Sequence, residues 1–322
     1  MNLEARLVPF LEESFLAPLL TSACVTDISW NGESLFYMDN RQGRRRAEIA
    51  ADNDIVGDFL RQIANFSERQ FSYSEPVLDV SFGRYRLNAV FPSIARAENR
   101  KCYTFSLRIA SAGSAVETAE DFFGPGCKEI LFQAIEDGES IVIGGETGVG
   151  KTELQKYLLL HLKPATRVVV IDNVQELELS RGDGSVDMTS WLVDGGNRHA
   201  TFSALIRNAL RNNPDYLLVA ESRGEEMLDA LAAVMSGHPI ITTIHAKDIQ
   251  AIPHRMARMA MQGRNNLVYE ELMKDICHHF SLLVYLKRTV DERGMIHRCI
   301  DAIGRINDKT RRVDIIYKEE TK

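Results

Sequence analysis

Eight consecutive residues carry the clearest chemistry in the sequence, because they fit the phosphate-binding pattern G-x-x-x-x-G-K-S/T without a mismatch. They are Gly145, Glu146, Thr147, Gly148, Val149, Gly150, Lys151 and Thr152. The glycines allow the backbone to curl so that consecutive N–H groups point inward at phosphate oxygens. In such a loop the lysine brings a positive charge to the terminal phosphates, and the last hydroxyl is placed to ligate Mg²⁺. The sequence therefore predicts a site for a nucleoside triphosphate with Mg²⁺.

Three further polar residues each follow a buried, apolar run that reads as a strand. They are Asp172 after residues 167–171, Glu221 after 216–220 and His245 after 239–244. Because open α/β sheets place ligands at the carboxyl ends of their strands, we expect these side chains to converge on the loop. Glu221 would hold Mg²⁺ or its waters, Asp172 is a second acid of the same kind with Glu176 close behind it, and His245 would hydrogen-bond the γ-phosphate or its water.

Arginines flank this group in the sequence, at Arg207, Arg211 and Arg223. Guanidinium groups are the usual stabilisers of charge on a transferring phosphoryl group, so Arg207 and Arg223 are candidate catalytic residues. Each of them, taken alone, is explained more readily as a surface or helix-capping residue. A phosphate loop by itself also occurs in kinases, GTPases, helicases and motors, so the loop does not decide the reaction class.

The elements that must position these residues lie in the second part of the chain, which we assign as an α/β domain over residues 125–322. Continuous apolar strands alternate with helical stretches there, a pattern typical of a sheet covered on both faces. The predicted strands are 141–143, 167–171, 216–220 and 239–244, and the predicted helices are 153–162, 204–212 and 225–236. The tail, over residues 282–317, is predicted to form antiparallel strands.

Residues 1–112 are predicted to form a smaller α+β domain. Apolar residues recur at helical spacing from Leu3 to Leu19, and residues 55–66 also read as a helix. Residues 25–30 and 34–38 form a predicted hairpin with Asn31 and Gly32 as a two-residue turn. Alternating strands follow at 84–91 and 101–109. The small, polar and aperiodic residues that follow place an interdomain linker at 113–124.

Composition limits the class of partner. The 322 residues carry a net charge of −7, which disfavours a sequence-independent nucleic-acid binder. Five scattered cysteines fit reduced thiols better than a disulfide framework or a zinc site. No apolar run approaches the ~20 residues needed to span a bilayer, so we expect any membrane association to pass through a partner.

Four blocks in order resemble the type II/IV secretion system ATPases, and specifically the hexameric branch of type IV secretion and conjugation. They are residues 144–152, 170–177, 210–226 and 236–246, which resemble the Walker A loop, acidic box, Walker B block and histidine box. Residues 25–32 resemble the start of the family's N-terminal domain. One departure is Asp172-Asn173, where the family commonly has Glu-Asp, and it suggests slow hydrolysis. The pair His245-Ala246 favours the secretion branch over pilus retraction motors.

The resemblance implies a PAS-like N-terminal α+β domain and a RecA-like P-loop ATPase domain, with ATP and Mg²⁺ bound between them. Carried over by position, Lys151 and Thr152 bind phosphate and Mg²⁺, Glu221 is the Walker B acid, Asp172 or Glu176 acts on the attacking water, and His245 senses the γ-phosphate. Arg108 resembles an N-domain arginine that reaches the nucleotide.

The same resemblance implies a cytoplasmic homohexamer that docks on inner-membrane components of a secretion machine, without inserting in the membrane. Three functions stay open: a motor driven by hydrolysis, a slowly hydrolysing assembly platform switched by nucleotide, and a nucleic-acid translocase. A pilus retraction-type motor is a variant of the first. The acidic charge balance weighs against direct nucleic-acid binding.

Overall fold

The chain divides into two units. A computed structural model describes residues 3–110, 113–117, 119, 121–173, 176–177, 185–194, 196–263 and 266–319. The first unit comprises Met1–Ala112 and Val290–Ile296, and the second comprises Gly113–Thr289 and His297–Lys322. No helix in the described ranges is both long enough and apolar enough to cross a membrane.

The first unit contains a six-stranded antiparallel sheet in the order β3-β2-β1-β8-β5-β4. Its helices are α1 (Leu3–Glu12), α2 (Ala17–Leu20) and α3 (Asn53–Phe66), and its strands are β1 (Val25–Trp30), β2 (Leu35–Asp39), β3 (Gly43–Arg46), β4 (Val77–Phe82), β5 (Tyr85–Val90) and β8 (Thr104–Ile109). A two-stranded ribbon pairs β6 (Arg96–Ala97) with β7 (Arg100–Lys101). The apolar face of the large sheet packs with the three helices into one core.

Two details of this unit differ from the sequence predictions. The apolar repeat from Leu3 to Leu19 is divided between α1 and α2, because the first helix ends at Glu12. The β1–β2 hairpin is confirmed, but the two-residue turn is wrong, since Trp30 pairs with Leu35 across a four-residue loop. The Asn31 side chain explains the longer loop, because its Oδ1 accepts the N–H groups of residues 33 and 34 at 3.0 and 2.8 Å.

Asp52 starts helix α3, because its Oδ1 accepts the N–H groups of Asp54 and Ile55 at 3.0 and 2.8 Å. We expect Asp52→Ala to lower the free energy of unfolding of this unit by about 1 kcal/mol, since two N-terminal donors lose their acceptor. Urea unfolding followed by circular dichroism measures the change. Asp58→Ala in the same helix is the control, because its pair with Arg61 is solvent-exposed and contributes little. Equal effects of the two substitutions would contradict the capping role.

The second unit contains an eight-stranded sheet in the order β11-β10-β12-β13-β9-β14-β15-β16. Its strands are β9 (Ile141–Gly145), β10 (Arg167–Asp172), β11 (Asp187–Leu192), β12 (Tyr216–Val219), β13 (Ile240–Ile244), β14 (Leu282–Val290), β15 (Ile296–Asn307) and β16 (Arg312–Lys318). Its helices are α4 (Cys127–Glu136), α5 (Lys151–Leu160), α6 (Phe202–Ala209), α7 (Glu226–Met235), α8 (Ala251–Ala260) and α9 (Tyr269–His279), with 3₁₀ turns at Leu210–Asn212 and Met261–Gly263. The strands from β11 to β14 in this order are parallel, and β16 pairs antiparallel with β15.

The apolar runs predicted as buried strands are confirmed as β9, β10, β12 and β13, with a hydrophobic cluster on each face of the sheet. The predicted tail strands are confirmed as β14, β15 and β16. Strand β11 was not predicted, because at the edge of the sheet four of its six side chains are solvent-exposed and its apolar residues form no continuous run.

The segment 113–124, which the sequence presents as a linker, contributes to the packing of the second unit where it is described. Val116 and Phe122 are buried in its core. Ser114 Oγ donates to the Glu153 carbonyl at 2.8 Å, and the Ala115 N–H donates to Glu153 Oε2 at 2.6 Å. These contacts attach the segment to helix α5.

Candidate functional site

The strand order of the second unit brings the predicted site residues to one edge of the sheet. Four parallel strands, β10, β12, β13 and β9, are neighbours in that order. At their carboxyl ends lie Asp172, Glu221, His245 and the phosphate-binding loop, respectively. Parallel strands present their carboxyl ends at the same edge, which is where open α/β sheets bind ligands.

The loop between β9 and α5 has the backbone conformation that the glycine pattern predicts. Gly145, Gly148 and Gly150 have φ values of 156°, 76° and 99°, all in the region that favours glycine. A Cβ at Gly145 would also lie 2.9 Å from the Leu286 carbonyl oxygen, so the neighbouring strand leaves no room for a side chain. Helix α5 begins at Lys151, directly after the loop, and its amino end favours an anion there.

Lys151 is buried and turned toward the loop. Its Nζ donates to the carbonyl oxygens of Gly145 and Glu146 at 3.0 and 2.8 Å. Burial lowers the pKa of Lys151, an effect that the Glu221 carboxylate opposes and the Arg223 guanidinium reinforces. The ammonium is therefore a charge held beside the loop in a poorly solvated place, where its interaction with phosphate is less screened than at the surface.

Lys151, His245, Glu221 and Arg223 form a connected row of polar groups, which we call the charged row. Lys151 Nζ lies 3.4 Å from His245 Nδ1, His245 Nε2 lies 2.9 Å from Glu221 Oε1, and Arg223 Nη2 donates to Glu221 Oε2 at 2.7 Å. An ammonium has only donors, so His245 Nδ1 is the acceptor at the contact with Lys151, whereas the approach of Nε2 to Glu221 Oε1 is a close pairing and not an aligned hydrogen bond. The Glu221 carboxylate is thus held by a hydrogen bond at Oε2, and its pairing with Arg223 raises the pKa of that arginine.

Hydrogen bonds from buried polar side chains hold the backbone on both sides of Glu221. Thr243 Oγ1 donates to the Ala220 carbonyl at 2.8 Å, and the hydroxyls of Ser222 and Thr242 lie 3.0 Å apart. Glu226, at the start of α7, accepts the N–H groups of Arg223 and Gly224, the second at 2.9 Å. Sequence reasoning missed these supports, although two threonines inside an otherwise apolar buried strand were a signal.

Other predicted residues lie outside the charged row. Asp172 is buried, and its Oδ2 accepts the Leu177 N–H at 3.0 Å. Glu176 is half-buried, and residues 174–175 of the same predicted box lie outside the described residues. Arg207 pairs with Asp229 of helix α7 at 3.1 Å.

Arg108 lies in the first unit, on the solvent-exposed face of β8. Its backbone neighbours across the sheet are Asp27 on β1 and Arg86 on β5. Its predicted contact with the nucleotide stays a prediction.

Comparison with known proteins identifies relatives of the chain. The sequence profile of the family described as type II/IV secretion system protein matches residues 106–295. The type IV secretion system protein PtlH homolog of Bordetella bronchiseptica is 28% identical over 313 residues, which cover 89% of this chain and 92% of that protein. An uncharacterized protein of Bacillus anthracis is 29% identical over 270 residues, and the match covers 83% of this chain but only 59% of that longer relative.

A solved structure extends the likeness to the fold. The ATPase DotB of Legionella pneumophila matches with a TM-score of 0.69 at 21% identity, over 96% of this chain and 82% of that chain. At this identity the match shows a shared fold. Because the family profile covers more than half of the sequence, this protein belongs to the type II/IV secretion system protein family.

Proposed function

We propose that this protein is an ATPase that binds MgATP on the loop 145–152 and hydrolyses it at the charged row. The observation that carries the proposal is the row itself, in which Lys151, His245, Glu221 and Arg223 are joined beside a loop of phosphate-binding geometry. A structural role alone does not require a lysine, a histidine and a carboxylate from three different elements to meet at the edge where ligands bind.

Each group has a defined part in the proposed reaction. The loop amides and Lys151 would hold the phosphates, and Mg²⁺, which arrives with the nucleotide, would meet the Thr152 hydroxyl and Glu221. His245 would hydrogen-bond the γ-phosphate or the attacking water. The guanidinium of Arg223 lies next to Glu221, from where it can neutralise charge on the transferring phosphoryl group.

The group that activates water is proposed to be Asp172 or Glu176, as the acidic-box resemblance implies. Asp172 already accepts the Leu177 N–H, and an aspartate is shorter than the glutamate common in the family. These features support slow hydrolysis. They favour, as a second candidate function, an assembly platform that is switched by nucleotide occupancy and in which hydrolysis only resets the state.

The cellular role that we propose is a homohexameric motor of a type IV secretion or conjugation machine, and a pilus retraction-type motor is the alternative. Similarity to a type IV secretion protein over nearly the whole of both chains supports this role. The protein would then dock on inner-membrane components from the cytoplasmic side. We further propose that the first unit is a PAS-like domain and the second a RecA-like ATPase domain, with Arg207 and Arg108 contributing to charge stabilisation once the ring is formed.

The mass of the protein in solution, measured with MgATP, with MgADP and without nucleotide, tests the proposal together with the steady-state hydrolysis rate. A motor is expected to form a six-subunit species and to turn over ATP continuously. A ring that tracks ATP occupancy with negligible turnover would favour the platform. The absence of both nucleotide binding and hydrolysis would contradict the proposed function as a whole.

A further inference from the structure

Two arginines from the C-terminal strands of the second unit lie against the loop 145–152. Arg298, on β15, donates its Nε–H to the Gly148 carbonyl at 2.7 Å. Arg288, on β14, approaches the same residue, because a Cβ built at Gly148 would lie 4.0 Å from Arg288 Nη1. Neither residue belongs to the phosphate-binding pattern, and neither is part of the charged row.

The contact of Arg298 has a geometric consequence for the loop. In a planar trans peptide unit the C=O and the following N–H point in opposite directions. Since the Gly148 carbonyl faces Arg298, the N–H of Val149 must face the other side of the loop. Gly148 has a φ of 76° and no side chain, so its backbone is little constrained. A contact from outside the loop can therefore decide how the peptide plane between Gly148 and Val149 is oriented.

The surroundings of Arg298 suit a side chain that keeps the loop in one conformation. Its side chain is half-buried, and its Cδ lies 3.9 Å from the place that a Cβ on Gly150 would take. Burial lowers the pKa of the guanidinium, and the charge of Arg288 lowers it further. Two like charges that are brought together beside the loop gain stability when an anion binds nearby.

We propose that Arg298 is a positioning residue of the nucleotide loop, which holds the peptide unit between Gly148 and Val149 so that the Val149 N–H faces the phosphates. Arg288 acts with it through charge alone. This inference rests on the proposed function, since the anion concerned is the polyphosphate of the bound nucleotide. It adds to the loop two residues that lie about 140 and 150 positions further along the chain.

The test compares Arg298→Ala, Arg298→Lys and Arg288→Ala with Arg293→Ala, an exposed arginine in the turn of the same β14–β15 hairpin. Titration with fluorescently labelled ADP and Mg²⁺ gives the Kd, and MgATP hydrolysis gives KM and kcat. Arg298→Ala is expected to raise the Kd and KM about tenfold, as the loss of a charge-assisted hydrogen bond implies. Because the bond aligns the loop in ground state and transition state alike, KM should change more than kcat.

The other variants separate the hydrogen bond from the charge. Arg298→Lys keeps the charge and the aliphatic stem but moves the donor one bond further along the side chain, away from the place of the Nε–H, so we expect a Kd close to that of the alanine variant. Arg288→Ala should raise the Kd by up to about fivefold, in the range of an exposed charge, and the effect should fade at high salt. Arg293→Ala should bind like the wild type.

Several outcomes would overturn the inference. A wild-type Kd for Arg298→Lys would show that charge is sufficient, and equal Kd values for Arg298→Ala and Arg293→Ala would remove any role at the loop. Thermal unfolding without nucleotide shows whether a variant is folded. If Arg298→Ala is not, the lysine variant carries the test.

Lys151→Ala in the same assays distinguishes a failure of the role proposed for Arg298 from a failure of the proposed ATPase function. A wild type that binds, a Lys151→Ala variant that does not, and an unaffected Arg298→Ala would reject only the role of Arg298. A wild type that neither binds labelled ADP nor hydrolyses MgATP would reject the proposed function and this inference together.

Discussion

Replacing Lys151 by alanine is expected to lower the ATP turnover number by about 10²–10³-fold, the cost typical of removing one preorganised group that stabilises charge in a transition state. The reason lies in its placement. Lys151 is buried beside the loop, and it reaches both the loop carbonyls and His245. Nucleotide affinity should fall as well, because the lysine would contact phosphate in the ground state.

A second lysine of the same unit provides the control for this substitution. Lys163 is exposed and lies 3.6 Å from Glu136 at the surface, so Lys163→Ala should leave turnover unchanged. Phosphate release from MgATP under saturating conditions measures both variants, and labelled-nucleotide titration gives the affinities. Turnover by Lys151→Ala at the wild-type rate would remove the loop from the mechanism.

Glu221→Gln is expected to reduce turnover by about 10²-fold while nucleotide binding is kept, because the substitution removes the charge of the side chain and leaves its size unchanged. In the protein the carboxylate accepts a hydrogen bond from Arg223 Nη2 at Oε2, and its Oε1 lies 2.9 Å from His245 Nε2. A neutral amide would hold these partners and Mg²⁺ less firmly. The negative charge of Glu221 matters most in the transition state, when charge moves between the phosphates and the attacking water.

The isosteric control is Glu225→Gln, an exposed residue four positions along the chain. It changes the net charge by the same amount in the same region, so a general electrostatic effect would appear in both variants. Single-turnover hydrolysis of prebound ATP separates the chemical step from release. A Glu221→Gln variant with an unchanged single-turnover rate and a weakened affinity would assign Glu221 to binding and contradict its catalytic role.

The parts of this site that could be predicted are those that depend on pattern and strand order. The loop has a fixed sequence signature, and Glu221 and His245 follow apolar runs whose length and composition already indicate buried parallel strands. Once the runs are strands of one parallel sheet, their carboxyl ends must share an edge, and the convergence on the loop follows. The same runs also indicate that both faces of the sheet are covered, because strands that are apolar throughout are buried on both sides.

The parts that could not be predicted depend on pairings between distant side chains. Nothing in the sequence around Arg207 shows that Asp229 neutralises it, and nothing near Glu226 shows that it accepts the N–H groups of the turn after Glu221. Arg298 is about 150 residues from the carbonyl that it binds. Such contacts become visible only when tertiary packing fixes which surfaces meet, and local propensity carries no information about them.

The position of β9 within its sheet has a mechanical consequence. This strand, which carries the loop, is hydrogen-bonded along its length to β13 on one side and to β14 on the other. A shift of register would break both ladders and turn every buried side chain to the wrong face. The strand is therefore a rigid support for the loop. If nucleotide binding drives a conformational change, the moving parts must be peptide planes and side chains of the loop and its surroundings, because β9 itself stays in place.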